Sequence, residues 1–94
     1  MFVILMYDFG EKRVGKALKT CRKYLTWIQN SVFEGEISVG NLKKLKAELK
    51  RIMDAEYDSA IIYTFQSLKY SEKEIMGCER NAPTAVSYTH LTLP

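Results

Sequence analysis

The hydrophobic pattern of the chain predicts an α+β sandwich, with helices on one face of an antiparallel sheet. Three observations predict it. Phe2 to Tyr7 is an unbroken apolar run without period-two alternation, the pattern of a central strand whose two faces are both covered. Two later segments place apolar residues at three- and four-residue spacing, giving each helix one apolar face. Short runs rich in β-forming residues lie between and after them, so strands and helices alternate.

The elements follow in order. The opening run ends abruptly in Asp8-Phe9-Gly10, which places a carboxylate where strand gives way to loop and where it can reach solvent, a metal or the next helix. From Glu11 to Leu25, Val14, Ala17, Leu18, Cys21 and Leu25 form the core face of a first helix. Lys12, Lys16, Lys19 and Lys23 form a second stripe, flanked by Arg13 and Arg22 and offset within the helix only by Glu11. Exposed helices commonly carry lysine, so the stripe alone does not establish a binding surface. Thr26 to Ile37 reads as strand, either one long bent strand or two short ones meeting near Asn30. Ser38 is placed to cap a second helix whose apolar face is Leu42, Leu45, Leu49, Ile52 and Met53 and whose outer face carries Lys43, Lys44, Lys46, Lys50 and Arg51. Asp54 to Asp58 is an acidic turn, Ser59 to Phe65 a further strand, and Lys73 to Cys78 a short edge strand.

Composition narrows the class. At 94 residues the chain fits one domain with a modest core, small enough that association helps stability. A hydrophobic fraction of 47% excludes a disordered chain, and no apolar run reaches the length of a membrane span. The opening run lacks the basic lead and small-residue cleavage site of a secretion signal. Cys21 and Cys78 have neither CxxC spacing nor a nearby histidine, so neither a zinc site nor a disulfide framework is indicated. There is no Gly-rich phosphate loop, Ser-His-Asp set or cysteine nucleophile, and the only histidine, His90, falls beyond the domain. A net charge of +3 permits nucleic-acid binding without demonstrating it.

Two strand-helix-strand units of this size point to the ferredoxin-like layout. Two helices cover only one side of such a sheet, yet Phe2 to Tyr7 is apolar on both. The uncovered face is therefore expected to be buried by a second copy of the chain about a two-fold axis. Tyr7, Trp27, Phe33, Tyr63 and Phe65 lie in strands and read as core or dimer contacts rather than base-stacking platforms.

Several separated blocks together carry a resemblance. Tyr7-Asp8, the basic segment beginning Glu11-Lys-Arg-Val14, Gln29-Asn-Ser-Val-Phe-Glu-Gly-Glu36, Asp58-Ser-Ala-Ile-Ile-Tyr63 and Lys73-Glu-Ile-Met-Gly77 resemble the small CRISPR-associated protein that works with the CRISPR integrase in spacer acquisition, over Phe2 to about Glu79. The resemblance implies a ferredoxin-like homodimer in the cytoplasm of a prokaryote, with Asp8 of each protomer facing its mate. It implies either of two roles. In one, the protein is a non-catalytic subunit that bridges integrase dimers and holds incoming double-stranded DNA, its basic surfaces gripping the backbone through charge. In the other, it is a metal-dependent endonuclease acting on RNA or DNA, with Asp8 as both catalytic residue and ligand to Mg²⁺ or Mn²⁺. Arg13, Lys16, Lys19 and Lys23 are the preferred nucleic-acid contacts because they follow Asp8 on one helix, with Lys43, Lys46 and Lys50 a second set.

The C-terminal stretch departs from this pattern. Val86 to Pro94 carries no charged side chain at neutral pH and resembles translated sequencing adapter. The domain is accordingly expected over residues 1–85, with a native C-terminus missing and the final nine residues outside it.

Overall fold

The computed structural model describes residues 1–66 and 71–78. The elements are β1 (Phe2–Asp8), α1 (Glu11–Arg22), β2 (Thr26–Gln29), β3 (Val32–Glu36), α2 (Val39–Ile52), β4 (Ser59–Phe65) and β5 (Ser71–Gly77). They form one antiparallel sheet in the order β2-β3-β1-β4-β5. The first four strands and two helices make the expected ferredoxin-like sandwich, and β5 widens the sheet at the β4 edge. The domain boundary at residue 85, the 86–94 segment and His90 lie outside the described residues.

The long β-forming stretch resolves into two strands rather than one. The break falls at Asn30, which adopts φ +45° in the two-residue turn, a conformation asparagine tolerates better than most side chains. The first helix ends at Arg22, three residues before the apolar periodicity does. Leu25 still packs into the core, and its N–H bonds the Cys21 carbonyl. Ser38 caps α2 as expected, its Oγ accepting from the Asn41 N–H at 3.1 Å. The edge strand begins at Ser71, two residues earlier than its sequence pattern.

One hydrophobic core joins the two layers. Val3, Leu5 and Tyr7 of β1, Phe33 of β3 and Ile62 of β4 meet Ala17 and Cys21 of α1 and Leu42, Leu45 and Leu49 of α2. Burial holds the Cys21 thiol far from reactivity, its pKa pushed up to about 12. The alternate residues of β1 face the other way. Phe2, Ile4 and Met6 are only half-buried, although the sequence places them in a doubly apolar strand. In register with them stand Phe65, Tyr63 and Ile61 of β4 and, on β3, Val32 opposite Met6. Ile75 extends this row from β5, opposite Ile61. Neither helix covers this sheet face.

Candidate functional site

Asp8 is the last residue of β1 and projects on the open sheet face, exposed, beyond Phe2, Ile4 and Met6. Strand alternation explains its orientation. Tyr7 and Phe9, on either side of it, turn inward and are 6% and 7% exposed. Their rings meet edge to face at 5.6 Å, and Tyr7 also stacks on Phe33 at 6.1 Å. The aromatic pair thus anchors the backbone on the core side while the carboxylate points out. Across the sheet Asp8 is in register with Ser59, which is in turn in register with Gly77 of β5.

The segment after Asp8 is held by a residue that the sequence placed in an acidic turn and at the head of the Asp58–Tyr63 block, without a role of its own. The Asp58 side chain is completely buried, and its carboxylate accepts four hydrogen bonds. Oδ1 accepts from the Gly10 N–H at 2.8 Å and from Arg13 Nη2 at 3.1 Å. Oδ2 accepts from Arg13 Nε at 2.5 Å and from the Asp54 N–H at 2.9 Å. The Arg13 guanidinium, with the Asp54 and Gly10 amides, outweighs burial and holds the Asp58 pKa at about 2. Gly10 is suited to this close approach, since a Cβ there would lie 2.6 Å from Arg13 Nη2.

The basic stripe does not stay one surface. Arg13 is turned inward to Asp58, and its pKa is raised by that bond. Lys23 is paired with Glu48 of α2, whose other carboxylate oxygen accepts from the Tyr24 hydroxyl. The Lys23 and Tyr24 bonds lower the Glu48 pKa. Lys46, from the second set, pairs with Glu74 of β5 at 2.8 Å. Lys16 and Lys19 are exposed and belong to none of the three ion pairs among the described residues. Arg51 of α2, which the sequence reading left out of its contact set, joins them. It lines with Arg13, Lys16, Glu48 and Ile52 a groove of about 270 Å³ between the helices. Of the four expected contacts, then, Lys16 and Lys19 are presented outward, while Arg13 and Lys23 are engaged within the fold.

The aromatics divide as well. Tyr7 and Phe33 are core, Tyr63 and Phe65 belong to the open face, and Phe65 lies against Phe2 at 6.5 Å. Trp27, expected as a core or dimer contact, is not part of the core of one chain. It is 48% exposed on the β2 edge, with its indole N–H donating to the Asn30 carbonyl.

A divalent cation does not fit the described residues of one chain. Among the described residues no group of three or more His, Cys, Asp or Glu side chains is arranged to hold an ion. Mg²⁺ asks for a near-octahedral shell that one exposed carboxylate does not supply. No helix among the described residues is long and apolar enough to cross a membrane.

Comparison with known proteins agrees with the fold. The profile of a family described as CRISPR associated protein Cas2 matches residues 1–73. The chain is 49% identical over 81 residues to the CRISPR-associated endoribonuclease Cas2 of Dictyoglomus turgidum, covering 86% of this chain and 93% of the relative. It is 50% identical over 80 residues to the protein of the same name from Thermotoga maritima, covering 85% of this chain and 92% of that one. A crystal structure of Cas2 superposes with a TM-score of 0.69 at 41% identity, covering 85% of this chain and 90% of the other. The Streptococcus pyogenes Cas2 crystallised at pH 6.5 superposes with a TM-score of 0.64 at 31% identity, covering 69% and 86%.

Proposed function

The chain belongs to the CRISPR-associated Cas2 family, and from that premise we propose that it serves CRISPR defence as a DNA-holding homodimer in the spacer-acquisition complex, bridging copies of the integrase in a prokaryotic cytoplasm. The observation that carries this reading is the separation of two surfaces. One sheet face carries a central apolar row, Phe2, Ile4 and Met6 with Ile61, Tyr63 and Phe65, flanked by Glu34 and Glu36 on β3 and Lys73 on β5, and the chain's own helices leave it uncovered, which suits a second copy. The helical layer on the opposite side presents Lys16 and Lys19, with Arg51 in the groove between the helices. Such a surface suits a phosphodiester backbone gripped by charge and not read by sequence.

The test is co-purification with integrase and duplex DNA. Asp8→Ala should leave both interactions intact. Neutralising Lys16, Lys19 and Arg51 together should weaken DNA retention and leave the dimer unchanged. An intact dimer that binds neither integrase nor duplex DNA defeats this reading.

A second reading, a metal-dependent endoribonuclease, is favoured by the relatives' names and by the exposed position of Asp8 at the end of the central strand. Since the described residues of one chain place no group of three or more metal-ligating side chains there, this activity asks for two copies of Asp8 brought together by the open face. Its signature is RNA cleavage that needs added Mg²⁺ or Mn²⁺ and vanishes in Asp8→Ala. Cleavage that persists in that variant removes Asp8 from the reaction.

A further inference from the structure

Asp58 touches more than the start of α1. Its N–H donates to the Asp54 carbonyl at 2.7 Å, and its own carbonyl accepts from the Cys78 N–H at 3.0 Å, just past the end of β5. Gly77, with φ +80°, lies so close that a Cβ added to it would stand 2.1 Å from the Asp58 carbonyl oxygen. Asp8, Ser59 and Gly77 form one register row across β1, β4 and β5, and Asp58 immediately precedes the middle member. One buried residue therefore grips the backbone two positions after Asp8 and also the end of an edge strand.

We propose that Asp58 is a positioning residue for Asp8, which ties the Asp8–Gly10 segment to the end of β5 so that a displacement at Gly77–Cys78 is passed to the Asp8 carboxylate. The physical ground is that the Asp58 side chain is fully buried and held by four hydrogen bonds of 2.5 to 3.1 Å, and a close-packed junction yields as a unit rather than bending at one contact. Asp58 cannot retreat from Gly77 without moving the carboxylate that holds Gly10 and Arg13. Whatever seats on the outer edge of β5 would thus influence the geometry at Asp8. The importance of the coupling rests on Asp8 being the functional carboxylate, but its existence does not.

The experiment is amide hydrogen exchange and carboxyl NMR on the full chain at fixed concentration. Gly77→Ala forces the Asp58 carbonyl to move, and Cys78→Pro removes the donor to it without adding that clash. Either is expected to speed Gly10 exchange about tenfold, the scale of losing a hydrogen bond to a charged acceptor. The Asp8 carboxyl signal should shift, while the Leu5 amide in mid-strand stays protected. Gly15→Ala, where a Cβ meets nothing within 4 Å, is the control. In Asp58→Asn the Gly10 amide should already exchange faster, and adding Gly77→Ala should change it no further. A merely structural role for Asp58 would instead give independent, additive effects. Coupling is reciprocal, so Arg13→Ala should loosen the Cys78 amide, which keeps the test open if the Gly77 variant fails to fold. Unchanged Gly10 and Asp8 signals in folded Cys78→Pro, with an unchanged Cys78 amide in Arg13→Ala, overturn the proposal. Neither DNA binding nor cleavage enters these readouts, so failure of the functional reading and failure of the coupling are separately visible.

Discussion

Replacing Asp58 with asparagine keeps the side chain's shape, removes its charge and turns one of its two accepting oxygens into an NH2 that cannot accept, which tests Asp58 as the charged acceptor of the Arg13 pair. In the folded chain the Asp58 pKa drops from 3.8 to about 2, chiefly through the Arg13 hydrogen bonds. At roughly 1.4 kcal/mol per tenfold change in proton affinity, that difference amounts to roughly 2.5 kcal/mol. The carboxylate is buried, but the Arg13 side chain is 28% exposed and partly screened, so about 1–2 kcal/mol is the working figure. The sign follows from a lowered folded pKa. The stabilisation is fully present above pH 3.8 and is lost as pH falls from there through about 2. Urea denaturation followed by circular dichroism at fixed protein concentration measures it. Wild type should exceed Asp58→Asn by at least that amount at pH 7, and the gap should shrink as pH falls below about 4. A gap that stays constant down to pH 2, or is absent at pH 7, refutes the assignment of Asp58 as a charged anchor.

Three further outcomes are expected. Ile4→Glu puts a charge in the middle of the open sheet face and should yield a folded monomer by light scattering; a persisting dimer would show that the interface lies elsewhere. Neutralising Lys16, Lys19 and Arg51 should lower the slope of log affinity against log salt for duplex DNA by about 2–3, whereas Lys23→Ala, which removes a lysine already paired with Glu48, should change it by less than about 1. Leu45→Ala empties a fully buried position facing the sheet and should cost about 2–5 kcal/mol in denaturant unfolding, and a loss under about 1 would mean that the core closes over the gap.

The strands and helices were legible because burial imposes its period on the chain. The doubly apolar Phe2 to Tyr7 run identified the central strand. Leu42, Leu45 and Leu49 identified the buried face of α2, and Ser38 its first turn. Ends were less legible. Leu25 continues the helical periodicity of α1 because the next turn of chain still delivers it to the core, so an apolar pattern outlasts the hydrogen-bonded helix by three residues. Trp27 left two outcomes open, core or dimer contact, because its residue type favours burial while it stands on an edge strand, where among the described residues no neighbour beyond β2 in the sheet covers it.

Charge was the least legible property, because neutralisation is tertiary. From Glu11 to Lys23 only Glu11 offsets six basic residues, which makes the segment look like a continuous cationic surface. The fold supplies Asp58 from 45 positions away to Arg13 and Glu48 from 25 positions away to Lys23. Sequence separations of that size carry no local signal. The same reasoning explains how Asp58 escaped notice beside Asp8. An acid in a polar turn is ordinary, and only its complete burial with four donors around one carboxylate sets it apart. The candidate site is therefore two kinds of carboxylate: Asp8, at the end of β1, turned outward by strand alternation and readable from sequence, and Asp58, just before Ser59, the register partner of Asp8, turned inward by its partners. The second fixes the backbone that carries the first, and a reading of either one alone misses what makes the pair a site.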